Sequence, residues 1–313
     1  SLVSVTLTDS PKMYFADLIG TDEVEVSASA SARIAGGGRI CVIGLGVKDK
    51  GTIYLKDNSN ITAPTCGIYS NSTSSSGLIA QVSTRVVGEL ICSAGGVSGG
   101  SKGFTPAGQT DCPQTPDPLA ERAVPAVSGC DFDGLIISGQ TTSLSPGVYY
   151  NGLTIDGGSD VVLRPGVYVF KDGPLTVDGK TRFTGEYVGF YFTGANAKFK
   201  FGAETTIDLG APKEGAMAGL LVFEDPATTE VRSYEVLSND ARNLLGTIYL
   251  PKGTLVVNGV NKVADQSAYT AIVAHRMEMT DGPNLYLNTN YSATDVPVPD
   301  GIAPIGRNIW IEK

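Results

Sequence analysis

The chain has 313 residues, 42% hydrophobic and 18% charged, a balance that excludes wholesale disorder because disordered chains combine low hydrophobicity with high net charge. Its net charge of −9 excludes nucleic acid as a partner, since an acidic surface repels the phosphate backbone. Its 39 glycines and 17 prolines follow no Gly-X-Y period, so they exclude collagen and predict frequent turns between short elements.

Residues 1–34 are predicted to form a small unit of strand, helix and strand. Val3–Leu7 and Glu23–Val26 alternate polar with apolar residues, which is the period of a half-buried strand. Pro11–Ile19 lies between them and favours a short helix, because polar residues suited to capping precede a proline at the first helical position. The unit is too small to fold alone, so we expect it to cap a larger domain.

Residues 35–130 are predicted to be a first β-segment. Short apolar runs such as Gly51–Leu55 and Gly77–Ala80 are separated by glycine, asparagine and serine, and almost nothing here favours a helix. The stretch Gly95–Gly129 begins with glycines and continues with prolines. We expect a crossing loop or linker there.

Residues 131–313 are predicted to be a second β-segment, because they contain an internal duplication. Pro146–Tyr149 recurs 19 residues later at Pro165–Tyr168, and Leu153–Asp156 recurs 22 residues later at Leu175–Asp178. A repeat near this length, built from short β-runs, is typical of a parallel β-helix. We therefore predict an all-β, right-handed parallel β-helix, with parallel coils spanning Arg39–Asn290 and with 1–34 and Asn308–Ile311 as end caps.

An antiparallel β-sandwich or jelly roll is the alternative fold. It also consists of short strands with frequent turns. Asp178-Gly179 and Asn258-Gly259 are dipeptides that favour hairpin turns. Parallel coils are preferred because most of the runs are shorter than hairpin strands.

Several short motifs occur in the same order as in one known family. They are Met13–Gly20, Val24–Ala30, Cys41–Ile43, Asn60–Ala63, Cys66–Ser72, Asp117–Ala120 and the duplicated Pro-Gly-Val-Tyr. In this respect the chain resembles the extracytoplasmic part of TadG-like proteins of the TadE/TadG family, which take part in Tad (Flp) pilus assembly. It departs from the family at Tyr150, where a cysteine often stands, and at Leu287–Asn290, where a late family cysteine is absent.

The resemblance implies a non-enzymatic component that assembles or anchors a surface pilus. Its partners would be other pilus-assembly or envelope proteins, on the periplasmic or cell-surface side of the bacterial envelope. The family is anchored in the inner membrane by an N-terminal helix, whereas this sequence begins at Ser1 with neither a signal peptide nor an apolar run long enough to span a bilayer. A carbohydrate-binding surface adhesin is the first alternative, and a β-helix polysaccharide lyase or glycosidase the second.

The five cysteines are expected to form two disulfides and leave one thiol unpaired. They lack CxxC spacing and a nearby histidine pair, so we expect no metal site. Cys41 and Cys66 are 25 residues apart, close to one coil, so their Cα atoms could reach the roughly 5.5 Å that a disulfide needs. Cys92 and Cys112 bracket the glycine-rich loop and are the second expected pair. By comparison with the family, Cys130 is left over and is expected to be buried and inert.

Candidate catalytic residues are few, and a structural role is preferred for each of them. Asp131 and Asp133 lie on the same side of one predicted strand, and Asp156 and Asp178 could align in successive coils. His275 is the only histidine and lies in a β-run without the motif that presents a nucleophilic serine. We expect no catalytic role for these five residues and no cofactor.

Overall fold

A computed structural model describes residues 2–10, 25–33, 38–100 and 102–303. Their regular structure is β-strand apart from a 3-10 turn at Tyr291–Ala293. The predicted helix Pro11–Ile19 and the predicted cap Asn308–Ile311 lie outside these residues. Within the described ranges, no helix has the length and hydropathy needed to cross a bilayer.

The N-terminal unit is an antiparallel strand pair. β1 (Leu2–Asp9) pairs with β2 (Val26–Arg33), from Leu2 opposite Arg33 to Asp9 opposite Val26. The first predicted strand lies within β1. The second predicted strand, Glu23–Val26, lies partly outside the described residues and meets β2 at Val26, from which β2 continues through alternating serine and alanine.

Residues 39–304 form a separate compact unit, which includes most of the predicted segments 35–130 and 131–313. The described strands of residues 39–111, here called the N-terminal coils, are β3 (Ile40–Gly44), β4 (Ile53–Leu55), β5 (Asn60–Ser70), β6 (Leu78–Ala80), β7 (Arg85–Ser93), β8 (Val97–Gly99) and β9 (Phe104–Thr105).

The described strands of residues 131–290, here called the C-terminal coils, are β10 (Phe132–Ser138), β11 (Thr141–Leu144), β12 (Gly147–Asp156), β13 (Asp160–Leu163), β14 (Gly166–Lys171), β15 (Leu175–Val177), β16 (Arg182–Gly185), β17 (Val188–Thr193), β18 (Phe199–Phe201), β19 (Thr206–Gly210), β20 (Leu220–Glu224), β21 (Ser233–Val236), β22 (Asp240–Val257), β23 (Lys262–Val263), β24 (Thr270–Met279) and β25 (Asn284–Tyr286).

These strands stack as a right-handed parallel β-helix of about 11 turns, as predicted. Each strand ladder between the described residues 39 and 303 is parallel, which is incompatible with the antiparallel sandwich or jelly roll. The duplication does mark successive coils, since Leu153 lies opposite Leu175 with the expected 22-residue offset.

The repeated Pro-Gly-Val-Tyr motif has a local role at a corner of the coil. The hydroxyl of Tyr149 donates to the carbonyl of Ser145 at 2.7 Å, and the hydroxyl of Tyr168 donates to that of Arg164 at 2.8 Å, so each tyrosine closes the turn before it. In the ladder Tyr149 lies opposite Phe170 rather than Tyr168. The two-residue shift keeps both tyrosines buried, because side chains alternate with period two.

A second hydrogen-bonded corner recurs in the N-terminal and the C-terminal coils, so the coils of both segments have the same local structure. The hydroxyls of Ser59, Thr84, Ser159 and Thr205 are buried, and each donates to the carbonyl three residues earlier at 2.5–2.7 Å. Each residue lies between two inward apolar positions. The sequence signal is therefore an apolar residue, three variable residues, serine or threonine, one variable residue and a second apolar residue.

The order of the coils in space differs from their order along the chain. β24 pairs with β22 on one edge and with β3 and β4 on the other, and β25 pairs with β5. The stack therefore runs from β10 to β25 and continues with β3 to β9. We call the junction between β24–β25 and β3–β5 the seam.

Residues 112–130, the crossing connection, join the two ends of this stack along the outside of the solenoid. Asp117 accepts a hydrogen bond from Tyr249 at 2.8 Å, and Arg122 donates to the carbonyls of Ala216 and Ala218. Leu119 is buried in an outer apolar cluster with residues such as Tyr191. The connection thus covers an outward apolar face of the sheet.

Candidate functional site

A recess lies on an outward face of the N-terminal coils. β4, β6 and β8 are adjacent there, with Tyr54 opposite Ile79 and Ile79 opposite Ser98. Because their sequence neighbours Ile53 and Leu78 are fully buried, period-two alternation turns Tyr54, Ile79 and Ser98 outward. These three side chains form the floor.

Loops at both ends of the strands form two walls, so that the recess is a trough along the solenoid axis. Lys50, Ser76 and Arg276 lie on the side where the strands begin. The opposite wall is built by the loops that follow β4 and β6, and it consists of Asp57, Asn58, Gln81, Val82 and Ser83. The resulting axial trough has a volume of about 990 Å³.

Hydrogen bonds fix several side chains of the axial trough. Gln81 donates its Nε2 to the Tyr54 hydroxyl at 2.7 Å, which holds the phenol from the next coil. Arg276 donates its Nε to the carbonyl of Gly51 at 3.1 Å and lies 3.6 Å from the Glu278 carboxylate. Arg276 belongs to β24, so the trough crosses the seam.

The side chains that form the floor of the axial trough become smaller toward the last coil of the stack. Ile79 is followed there by Ser98, and the adjoining Gly99 and Gly100 are exposed. A Cβ built on Gly100 would meet no atom within 4 Å, so the trough opens to solvent at this end.

The charge around the trough differs from that of the whole molecule. Residues 39–112 carry six lysine or arginine and four aspartate or glutamate side chains, a net charge of +2, in a chain whose net charge is −9. At the trough itself the charges cancel, because Lys50 and Arg276 on one wall are balanced by Asp57 on the other wall and by Glu278, which lies opposite Tyr54 and pairs with Arg276.

The four candidate carboxylates lie far along the stack from the trough, and three of them contact a neighbouring coil. Asp131 accepts a hydrogen bond from Val148 N, and Asp133 accepts one from the Asn151 side chain, both at 2.8 Å. Asp156 and Asp178 directly follow Ile155 and Val177, which are paired, so their predicted alignment in adjacent coils is confirmed.

Asp178 and His275 each have an identifiable partner. The Asp178 carboxylate lies 3.6 Å from Lys200 Nζ and also accepts a hydrogen bond from Gly179 N. His275 Nε2 lies 3.3 Å from an Asp49 carboxylate oxygen, and this contact crosses the seam. These contacts link neighbouring coils.

The disulfide pairing is the one expected from the sequence. Cys41 is bonded to Cys66 with a Cα–Cα distance of 5.6 Å, and Cys92 to Cys112 at 6.0 Å. The second bond attaches the start of the crossing connection to the N-terminal coils. Two disulfides are typical of a protein that folds in an oxidising compartment.

The expectation that Cys130 is buried is wrong, because this cysteine is exposed. It lies just before β10, at the end of the stack, where the only described ladder of β10 is with β12. A coil at the end of a stack has no further coil to cover its flank. The thiol is therefore accessible to reagents.

We expect one thiol to react when the folded, unreduced protein is treated with a maleimide. Cys130 should be labelled rapidly without denaturant, because access rather than unfolding limits the reaction. Intact-mass spectrometry and peptide mapping would measure this. The variant Cys130→Ser serves as the control and should take up no label; slow labelling that requires denaturant would contradict the exposure.

Sequence reasoning missed the axial trough because its floor lies inside runs that were identified only as apolar. Period-two alternation within Gly51–Leu55 and Gly77–Ala80 could have shown that Tyr54 and Ile79 face outward. Arg276 could not have been found this way, because the seam brings it to Gly51 from 225 positions away.

In the part of the chain that the structure describes, no group of three or more histidine, cysteine, aspartate or glutamate side chains is placed to hold a metal ion. Comparison with protein-family profiles, curated proteins and solved structures finds no match.

Proposed function

We propose that the chain is a non-enzymatic component of bacterial surface assembly, of the Tad (Flp) pilus type, and that it acts as a rigid extracytoplasmic scaffold bound by other envelope proteins. The motifs from Met13–Gly20 to Pro165–Tyr168 support the family. The observation that carries the scaffold role is that four of the five candidate catalytic side chains, Asp131, Asp133, Asp178 and His275, contact residues of neighbouring coils.

These contacts between coils favour a structural role for the side chains over a catalytic one. Asp131 and Asp133 accept hydrogen bonds from the next coil, Asp178 pairs with Lys200, and His275 with Asp49. A catalytic carboxylate instead needs a free face toward substrate and a second group at a defined distance. A stack held in this way provides broad fixed surfaces for protein partners.

Recovery of pilus components from the native envelope tests this proposal. We expect chemical crosslinking of the membrane-anchored precursor, followed by pull-down and mass spectrometry, to recover proteins of the pilus-assembly machinery. A precursor that lacks residues 39–303 is the control and should recover fewer of them. Recovery of the same proteins by both, or of none by either, would contradict the proposal.

The second alternative, a polysaccharide lyase or glycosidase, makes the opposite prediction. Asp156 and Asp178 lie in adjacent coils with Lys200 close to Asp178, which is the part of the structure nearest to such a site. We expect the purified protein to release no oligosaccharide from uronate or neutral polymers. Release that is abolished by Asp156→Ala or Asp178→Ala would establish an enzyme.

A further inference from the structure

We infer that two copies of the chain form a two-fold symmetric dimer, in which their β10 strands pair antiparallel and join the solenoids end to end. This dimer does not depend on the scaffold role, because it requires only the free edge of the first coil of the stack. Its interaction surface is centred on Leu135–Ser138, and its partner is a second copy of the same surface.

The edge of β10 that faces away from β12 is open to another strand. Among the described residues, β10 has a ladder only with β12, and β11 only with β13. Ile136 of β10 is 69% exposed. A strand edge with unpaired N–H and C=O groups is a template on which a further strand can pair.

The first coil lacks the features that protect the other end of the stack. There β8 and β9 have only three and two residues, exposed Lys102 lies between them, and Pro106 directly follows β9. Short strands, lysine and proline usually prevent pairing at an edge. Residues 134–155, in contrast, contain no charged side chain, and neither β10 nor β11 contains proline. Because pairing through one end only is complete with two copies, we expect a dimer and not a filament.

The regular part of β10 is complementary to itself in one antiparallel register. A bulge follows Asp133, so this regular part is Leu135–Ser138. If Ile136 lies opposite its equivalent in the second copy, each Leu135 lies opposite an Ile137, and all three apolar side chains meet apolar partners. A shift by two residues in either direction would place a glycine or a serine opposite Ile136.

The same register matches the faces of the two strands and keeps their acidic side chains apart. Directly opposite residues of an antiparallel pair lie on the same side of the sheet. Leu135 packs against the core and Ile137 is buried, so both point inward, and pairing would bring the two cores together. Asp133 lies at one end of the regular part, so the two copies place this carboxylate at opposite ends of the pair.

Analytical ultracentrifugation of the full chain over a range of concentrations measures this association. A pair of short strands is a small interface, so we expect a monomer in dilute solution and a dimer with a dissociation constant on the order of 10–100 µM. Ile136→Lys would place two ammonium groups opposite each other and should weaken dimerisation about tenfold. Val162→Lys is the matched control, because Val162 is also exposed but its strand, β13, is paired on both edges. This control should dimerise as the unmodified chain does.

A cysteine at the two-fold axis tests the register. In a Cys130→Ser background, Ile136→Cys should form a disulfide-linked dimer on mild oxidation, because directly opposite residues of an antiparallel pair have Cα atoms about 4.5–5.5 Å apart. Val162→Cys in the same background should stay monomeric, and circular dichroism should show that all variants are folded. A chain that remains monomeric throughout the concentration range, undiminished dimerisation by Ile136→Lys, or equal crosslinking at the two positions would overturn the inference.

Discussion

Replacement of Phe192 by alanine should destabilise the solenoid by about 3–5 kcal/mol, the range found when a buried phenylalanine is truncated. Phe192 is fully buried and stacks on Phe170 with a centroid distance of 5.1 Å. It also contacts Tyr234 edge-on at 5.5 Å and Phe199 at 5.9 Å. The three neighbouring rings are held in three successive coils and cannot collapse onto the missing volume, so a cavity would remain.

Urea unfolding followed by circular dichroism would measure this loss as a shift of the midpoint. The control is Ile136→Ala, which removes an apolar side chain that is 69% exposed on β10. Its effect should stay within about 0.5 kcal/mol. Equal shifts for the two variants would show that the aromatic stack does not carry the stability of the C-terminal coils.

Glu224 is the second position where a large effect is expected. This fully buried carboxylate accepts hydrogen bonds from Lys252 N at 2.9 Å, Gly253 N at 2.7 Å and the Tyr234 hydroxyl at 3.1 Å. Glu224→Ala would leave the two backbone donors without an acceptor, while the Tyr234 hydroxyl could still donate to the carbonyl of Ala197. Since each buried unsatisfied donor costs about 1–3 kcal/mol, we expect a loss of at least about 2 kcal/mol.

Glu224→Gln should behave differently, because an amide can keep the network. Its oxygen can accept from Lys252 N and Gly253 N, while its NH₂ group donates to the Tyr234 hydroxyl. That hydroxyl can then donate to the carbonyl of Ala197, which is 3.3 Å away. The loss for this variant should therefore be much smaller than for alanine at the same position.

The comparison of Glu224→Gln with the unmodified chain should also depend on pH. Burial raises the pKa of the Glu224 carboxyl above its usual range, although the three hydrogen bonds and Arg232 oppose the shift. A raised pKa in the folded state stabilises the protein below the unfolded-state pKa, and this contribution is lost as pH rises through the folded-state pKa.

Urea unfolding at about pH 4 and about pH 8, on either side of this window, would measure the difference. The unmodified chain should lose stability relative to Glu224→Gln as the pH rises, because only the carboxyl must ionise while buried. A difference between the two proteins that stays constant, or that changes in the opposite direction, would contradict the assigned shift.

The coils could be predicted because their pattern is local. Phe199, Lys200 and Phe201 alternate buried and half-buried side chains within one short strand, so their faces follow from period two. The offset between Leu153 and Leu175 gives the length of a coil directly. Because the pattern of a coil is repeated many times, a wrong assignment at one position does not change the predicted fold.

The seam and the trough could not be predicted, because they depend on which coils become neighbours. Nothing in the sequence of β3 distinguishes a strand that pairs with β24 from one that begins a stack. The exposure of Cys130 has the same origin, since it depends on β10 being at the end of the stack. The length of a repeat does not indicate which coils become neighbours when they are far apart in the sequence.

The seam has a consequence for the nascent chain. β3 and β4 are synthesised early, but the strand that saturates their second edge, Thr270–Met279, follows more than 200 residues later. Until then that edge exposes unpaired backbone groups, which are a template for aggregation. The seam can therefore form only after Thr270–Met279 has been synthesised, and a chain released before Thr270 would keep this edge exposed to aggregation.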